Sequence, residues 1–363
     1  MAVLDHVTVP LEVWYLISLS IGCFNLLLVA CLLLFQIHRR VKVRRQQRVT
    51  DRWRPLLKHD ATNPMTALPS LTHRDHIVLL YLWNECYEAT PVTTTEYLIR
   101  LAQQVGTNRF AKDLLQAKLL RRRILAVMTL GRLRDHSAWP SICALLLHQN
   151  PFLSFSAAQA LLWIDAVAAV PLLRPLIGHR TDWSPLRIAS MLNTAGPALA
   201  SDILAQAAVT GNAIVGPRLI RYLPITHNPS GLSILRRYVH EHRPSDNMLA
   251  ACLFVFGEFR DQADLPIIRR HLTHGAWYVR VQAATALGKL GTVDDEERLI
   301  GLFNDDQWWV RYRAGEALVS LESMTEEKLL SLQESLTSPD AHEILAPILA
   351  KFRTRRAPIA VKP

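Results

Sequence analysis

Three short stretches hold residue types that could do chemistry. In "HRDH", His73 to His76, Asp75 stands where a kinase catalytic loop keeps its proton acceptor. Such a loop needs an asparagine five places on, where this chain has Leu80, and a glycine-rich phosphate loop, which it lacks. In "HEHR", His240 to Arg243, the histidines are two apart and miss the i, i+4 pair that holds zinc on a protease helix. Glu85 and Glu88 flank Cys86 at a spacing that suits paired carboxylates and equally suits one solvated helix face, and the solvated face is the expectation. The five cysteines, Cys23, Cys31, Cys86, Cys143 and Cys252, include no C-x-x-C pair, which fits a reducing compartment. No nucleophile elbow or dinucleotide fingerprint occurs. The expectation is a protein with no catalytic residue, no cofactor and no metal, and hence not an enzyme.

What concentrates instead is charge. The chain of 363 residues carries a net charge of +10. Between His38 and Arg54 the residues Arg39, Arg40, Lys42, Arg44, Arg45, Arg48, Arg52 and Arg54 face Asp51 alone. Immediately before them, Val13 to Ile37 is a run of 25 residues without a charge. As a helix rising about 1.5 Å per residue, it is long enough to cross a hydrocarbon core of roughly 30 Å. The run is too long for a signal peptide, no Lys or Arg precedes it, and no small-x-small cleavage site follows it. The positive-inside rule then predicts a single-pass anchor in an inner (plasma) membrane, N-terminus outside and everything from Arg39 onward cytoplasmic. Arg39, Arg40, Lys42, Arg44, Arg45 and Arg48 are expected to lie against the membrane surface. Because the excess charge is local, it disfavours nucleic acid as the partner.

The rest of the chain reads as all-α, with apolar residues at helical spacing from about Arg74 to Phe352. "WYVRVQAATALGKLG" from Trp277 and "WWVRYRAGEALVSL" from Trp308 share Val-Arg-x-x-Ala-x-x-Ala-Leu, 31 residues apart. Carried backwards, the pattern recurs near Leu249, Arg218, Arg187, Ser154 and Arg123. A small column (Ala126, Ala157, Ser190, Arg221, Cys252, Ala283, Ala314) and a large one (Leu130, Leu161, Thr194, Ile225, Phe256, Leu287, Leu318) predict neighbouring helices that interdigitate. Pro140, Pro171 and Pro266, each after an aspartate, mark the first turn of a second helix in each unit.

These motifs resemble the HEAT-repeat family, in particular its short-unit, phycobilin-lyase-like branch, over roughly Lys118 to Leu336. The resemblance implies an α-solenoid of about seven helix-turn-helix repeats that binds other proteins along its surface, and it implies no chemistry. The units near Arg187 and Arg218 depart from the pattern. Arg174, Arg236, Arg237, Arg269 and Arg270 fall on second helices and form a candidate recognition strip for an acidic partner. Trp308 and Trp309 open a first helix, one expected to pack on the preceding unit and the other to be an interface anchor. His148, His179, Asn212, Arg243, His274 and Asp305 recur at the ends of second helices. They are read as compensation of the helix dipole, since residues on separate repeats stand too far apart for one metal ion.

The expected organisation is an extracytoplasmic segment (1–12), a transmembrane helix (13–37), a basic juxtamembrane segment and linker (38–70), a helical cap (71–122), the solenoid (123–352) and a basic disordered tail (353–363). The function that fits is a membrane-tethered scaffold for an unidentified protein partner, such as an inner-membrane complex, at the cytoplasmic face of a bacterial membrane, with no small-molecule substrate evident. Two alternatives remain: an enzyme like the bilin lyases or HEAT-like DNA glycosylases, and a binder of anionic lipid or nucleic acid through the basic segment.

Overall fold

The computed structural model describes residues 11–58, 68–91, 95–336 and 339–356, and every long element among them is an α-helix. Most of the expected N-terminal segment, part of the linker and the end of the tail lie outside the described residues. The chain divides into two compact units, Met1–Asp135 and His136–Pro363.

Unit 1 begins with α1 (Leu11–Leu57), one unbroken helix of 47 residues. It is long and apolar enough to cross a membrane, and its apolar side chains are exposed along the upper part, Leu26, Leu33 and Phe35 among them. The helix does not stop where the charges begin. Val49, Trp53 and Leu57, four residues apart and so on one helical face, enter a core with α2 (His73–Ala89) and α3 (Thr95–Gln104), meeting Leu82, Trp83 and Leu101. Pro55, within the stretch expected to hold the juxtamembrane segment and linker, sits in the last turn of α1. Two ion pairs fix the same joint. Arg45 reaches Asp75 at 2.6 Å and Arg54 reaches Glu85 at 3.0 Å. The start of α2 is held by a reciprocal capping box between Thr72 and Asp75. The remaining helices of the unit are α4 (Thr107–Leu114) and α5 (Leu120–Arg132). Arg132, almost wholly buried, bonds the side chain of Asn84 and pairs with Glu88, and so ties α5 to α2.

Unit 2 runs from the short α6 (Trp139–Cys143) through six helical hairpins to a closing helix. The hairpins are α7 (Pro151–Ile164) with α8 (Ala166–His179), α9 (Pro185–Asn193) with α10 (Pro197–Thr210), and α11 (Val215–Ile220) with α12 (Leu232–Glu241). They continue as α13 (Asp246–Phe259) with α14 (Leu265–Arg270), α15 (Trp277–Leu290) with α16 (Glu296–Gly301), and α17 (Trp308–Leu318) with α18 (Glu326–Ser335). The first helices of the last three hairpins, α13, α15 and α17, pack side by side, as small residues at the crossing allow. Cys252, Ala283 and Ala314 are fully buried there. Gly288 marks the closest approach, since a Cβ on it would stand 2.6 Å from the Ala317 Cα.

Two expectations shift in the irregular units. Ser190 and Arg221 are exposed, and Ala189 and Ile220 take the buried small-column places. The steps through this region are therefore 32, 31 and 32 residues, where the aligned letters suggested 33, 31 and 31. The physical reason is local: α9 has nine residues and α11 six, and α11 gives way to a 3₁₀ turn at Leu223–Thr226 around Pro224. Pro171 lies in the second turn of α8, because Asp165 already caps that helix by accepting from the Ala168 N–H at 3.0 Å. The C-terminal segment is helical further than expected. The closing helix, α19 (Pro339–Arg356), buries Ile344, Leu345, Ile348 and Phe352 on the last hairpin and includes the first residues of the supposed tail.

Candidate partner-binding surface

The arginine strip divides on inspection. Arg236 of α12 holds Asp264 at 2.6 Å and Asp261 at 2.5 Å, and Arg269 of α14 grips both oxygens of Asp295 at 2.7 and 2.8 Å. Each aspartate sits in the turn that opens the following second helix, so each arginine staples one repeat to the next. Asp264 and Asp295 are fully buried. Burial raises the Asp264 pKa against the pull of Arg236. At Asp295 burial pushes upward too, but the hydrogen bonds from Arg269 and the Thr292 N–H outweigh it and the pKa is lowered. Arg236 and Arg269 therefore serve the fold. Arg174, Arg237 and Arg270 remain exposed and form no ion pair among the described residues. Arg280, in the first-helix column, is also inward-looking: it clamps Asp305 bidentately at 2.7 Å.

The polar column at the ends of the second helices has a different role from the expected one. His148 accepts from the Asn150 N–H at 3.0 Å, His274 from the Ala276 N–H at 3.1 Å, and Asp305 from the Gln307 N–H at 2.9 Å. Asn212 accepts from the N–H groups of Ile214 and Val215. The side chain thus shapes the turn into the following first helix, bonding forward rather than back to the helix it ends. His179 alone of these bonds backward, to the Pro175 carbonyl at 2.9 Å.

Those turns define one edge of unit 2, where the sequence places aromatic and cationic residues together. Trp277 opens α15 and is 41% exposed, while Trp308 and Trp309 open α17 at 40% and 52%. Neither Trp308 nor Trp309 is buried against the preceding repeat, contrary to the expectation for one of them. Trp308 stacks on Tyr312, ring centroids 5.1 Å apart and planes at 7°, and Trp309 meets Trp308 edge-on at 4.9 Å. Trp277 was missed as a site residue, although the aligned "WYVR" and "WWVR" put it in register with Trp308. On the same edge a groove of about 660 Å³ lies between the α12–α13 and α14–α15 turns, lined by His240, His242, Arg243, Arg270, His271 and His274. Inside it burial lowers the pKa of His271, whose Nδ1 lies 2.7 Å from the Ile267 carbonyl.

Of the stretches first considered for chemistry, His240 to Arg243 lines the groove just described and the other two fall to structural roles. His73 and His76 pack on the Phe110 ring. Glu85 and Glu88 answer Arg54 and Arg132. Cys86 and Cys252 are buried, and burial pushes the Cys252 thiol up to about 12, far from a reactive thiolate. No group of three His, Cys, Asp or Glu among the described residues could hold a metal ion.

Stacked helical hairpins with aromatic and cationic side chains along one turn edge define an α-solenoid of the kind that presents a surface to other molecules. A family model of HEAT repeats matches residues 232–319 and again 277–350, so the repeats of this region are similar to HEAT repeats. No curated protein matches the chain.

Proposed function

We propose that the protein is a membrane-tethered scaffold whose repeats hold a protein partner at the cytoplasmic face. Support for the tether comes from the apolar exposed length of α1 followed directly by Arg39, Arg40, Lys42, Arg44 and Arg48. The observation that carries the binding role is the exposure, in register on one edge, of Trp277, Trp308 and Trp309. Large aromatics with cationic neighbours are the residues that most often anchor an interface, and three indoles about half exposed on adjacent repeats stand outside the buried core. Arg270 and Arg243, which line the groove between the α12–α13 and α14–α15 turns with Glu241 as its single carboxylate, favour an acidic partner. In this reading the bacterial inner membrane is the setting, and Arg237 and Arg174 act only through long-range attraction.

The test is a photo-reactive phenylalanine placed singly at Trp277, Trp309 or, as a control, the exposed Leu330 of α18, in the full chain in its own membranes. Adducts of one discrete mass from the first two positions, and none from the third, are expected. Adducts from Leu330 alone would place the binding face elsewhere and end this assignment.

A further inference from the structure

A second groove lies within unit 1, apart from the surface above. It has a volume of about 520 Å³ and is walled by α1, α2 and α4, with Arg122 of α5. Its apolar lining is Val41, Ile77, Val78, Phe110 and Leu114. Its cationic lining is Lys42 and Arg122, neither of which has an ion-pair partner among the described residues; the imidazoles of His38 and His73 add hydrogen-bonding groups, and no carboxylate lines the groove. Arg45 also borders it but is already held by Asp75 and Thr72. A groove that is greasy on one side and uncompensated positive on the other asks for an occupant with both characters.

Its depth narrows the choice. The α1 residues in the wall, His38, Val41, Lys42, Arg45 and Gln46, are spaced three and four apart and so share one helical face. One heptad earlier the same face carries Cys31, Leu34 and Phe35 of the apolar run, all exposed. His38 is the first residue after the uncharged run, and Lys42 lies about 6 Å further along the axis at 1.5 Å per residue. The polar layer of one leaflet is roughly 5–8 Å thick. With the uncharged run in the hydrocarbon, Lys42 therefore stands at the level of lipid phosphates, and the volume falls within the roughly 300–1,000 Å³ usual for small-molecule sites.

We propose that this groove binds an anionic glycerophospholipid of the leaflet facing unit 1. Its phosphate is held by Lys42, Arg122 and His38, its glycerol and first methylenes lie on Phe110, Val41 and Leu114, and its chain runs back along Leu34 and Phe35. The inference rests on the membrane-anchor reading given under the proposed function. It goes further in naming a ligand and a site, where a basic flank alone would bind any anionic surface.

The experiment uses the full chain in nanodiscs of phosphatidylcholine containing a small fraction of phosphatidylglycerol with a diazirine near its ester, crosslinked by light and mapped by mass spectrometry. Labelling at Ile77, Phe110 or Leu114 is expected, weaker by roughly 25-fold in Lys42→Ala/Arg122→Ala, since each of these two residues touches the headgroup and contributes the factor of about five of a basic residue held against an anionic lipid. Arg39→Ala/Arg44→Ala, which removes equal charge from exposed positions outside the groove, should lower labelling by roughly twofold or less. Circular dichroism of both variants, which alter exposed side chains, should match the parent. Label on Leu26 to Phe35 without label on the groove would overturn the site while leaving the anchor standing. Equal labelling by a phosphatidylcholine probe would overturn the anionic selectivity, and loss of labelling in free inorganic phosphate would assign the groove to a soluble anion instead. If neither segment is labelled, the anchor reading falls and the proposal with it.

Discussion

At the scale of single residues, the buried carboxylates show what an arginine on a repeat surface is for. Asp264 is without solvent and its ionised form depends on Arg236. Arg236→Ala should cost about 2 kcal/mol or more, because it leaves a buried acid uncompensated. Arg237→Ala, one residue away and exposed, should stay within about 0.5 kcal/mol. Chemical denaturation of the two variants separates these outcomes, and equal midpoints would mean that the staple contributes nothing.

The joint between α1 and α2 gives a pH signature. The Arg45 hydrogen bond, chiefly, with help from Thr72, lowers the Asp75 pKa from 3.8 to about 2. A carboxyl lowered in the folded state binds its proton more readily when unfolded, so its contribution is complete above about pH 4 and fades as the pH falls toward 2. Over that window the parent should lose its advantage over Asp75→Asn, on the order of 1 kcal/mol for a pair still touching water. A constant difference between the two down to pH 2 would show that Asp75 does not act through its charge. The sequence shows these arginines but not their partners, which lie 25 to 30 positions away and become neighbours only once helices stack. That is why Arg236 and Arg269 read as a recognition strip.

At the scale of elements, what matters is how closely the first helices approach. Gly288→Ala would place a methyl against the Ala317 backbone and should lower stability by about 1–3 kcal/mol. Ala283→Glu or Ala314→Glu, which bury a carboxylate without a partner, should unfold the last repeats. Thermal melts followed by circular dichroism test both, and unchanged melting would refute the packing register. That register was legible in the regular repeats, because small and large residues recur at a constant step and each letter reports its own burial. It was misread at Ser190 and Arg221, where shortened helices move the buried place one residue back and nothing in the aligned letters records a change of helix length. The turn-forming role of His148 and His274 was hidden for a related reason: a side chain that ends one helix and a side chain that begins the next occupy the same few positions.

At the scale of the whole molecule, the chain combines a candidate anchor, a helical unit built onto the anchor's own helix, and a repeat array with an aromatic edge. The photo-crosslinking prediction belongs here, since it asks whether one edge of the array, rather than its many exposed helix faces, meets another protein. Trp277→Ala/Trp308→Ala/Trp309→Ala should abolish the crosslinked adduct from a probe at Tyr312 while leaving the melt within a few degrees of the parent. A large fall in melting temperature would instead give the indoles a structural role.

Because α1 passes from the apolar run into the core of unit 1 without a break, the two are locked in rotational phase. Each residue inserted into α1 between Leu34 and His38 would turn unit 1 by about 100° around the helix axis and lift it by about 1.5 Å. Four insertions would return it to within about 40° of its starting bearing. A partner that touches both the apolar stretch of α1 and the rest of unit 1 would feel this dial, with binding lost and regained at a period near 3.6 residues. A partner that touches only the part beyond the insertion would not. Such an insertion ladder measures, without knowing the partner, whether it reaches the apolar stretch.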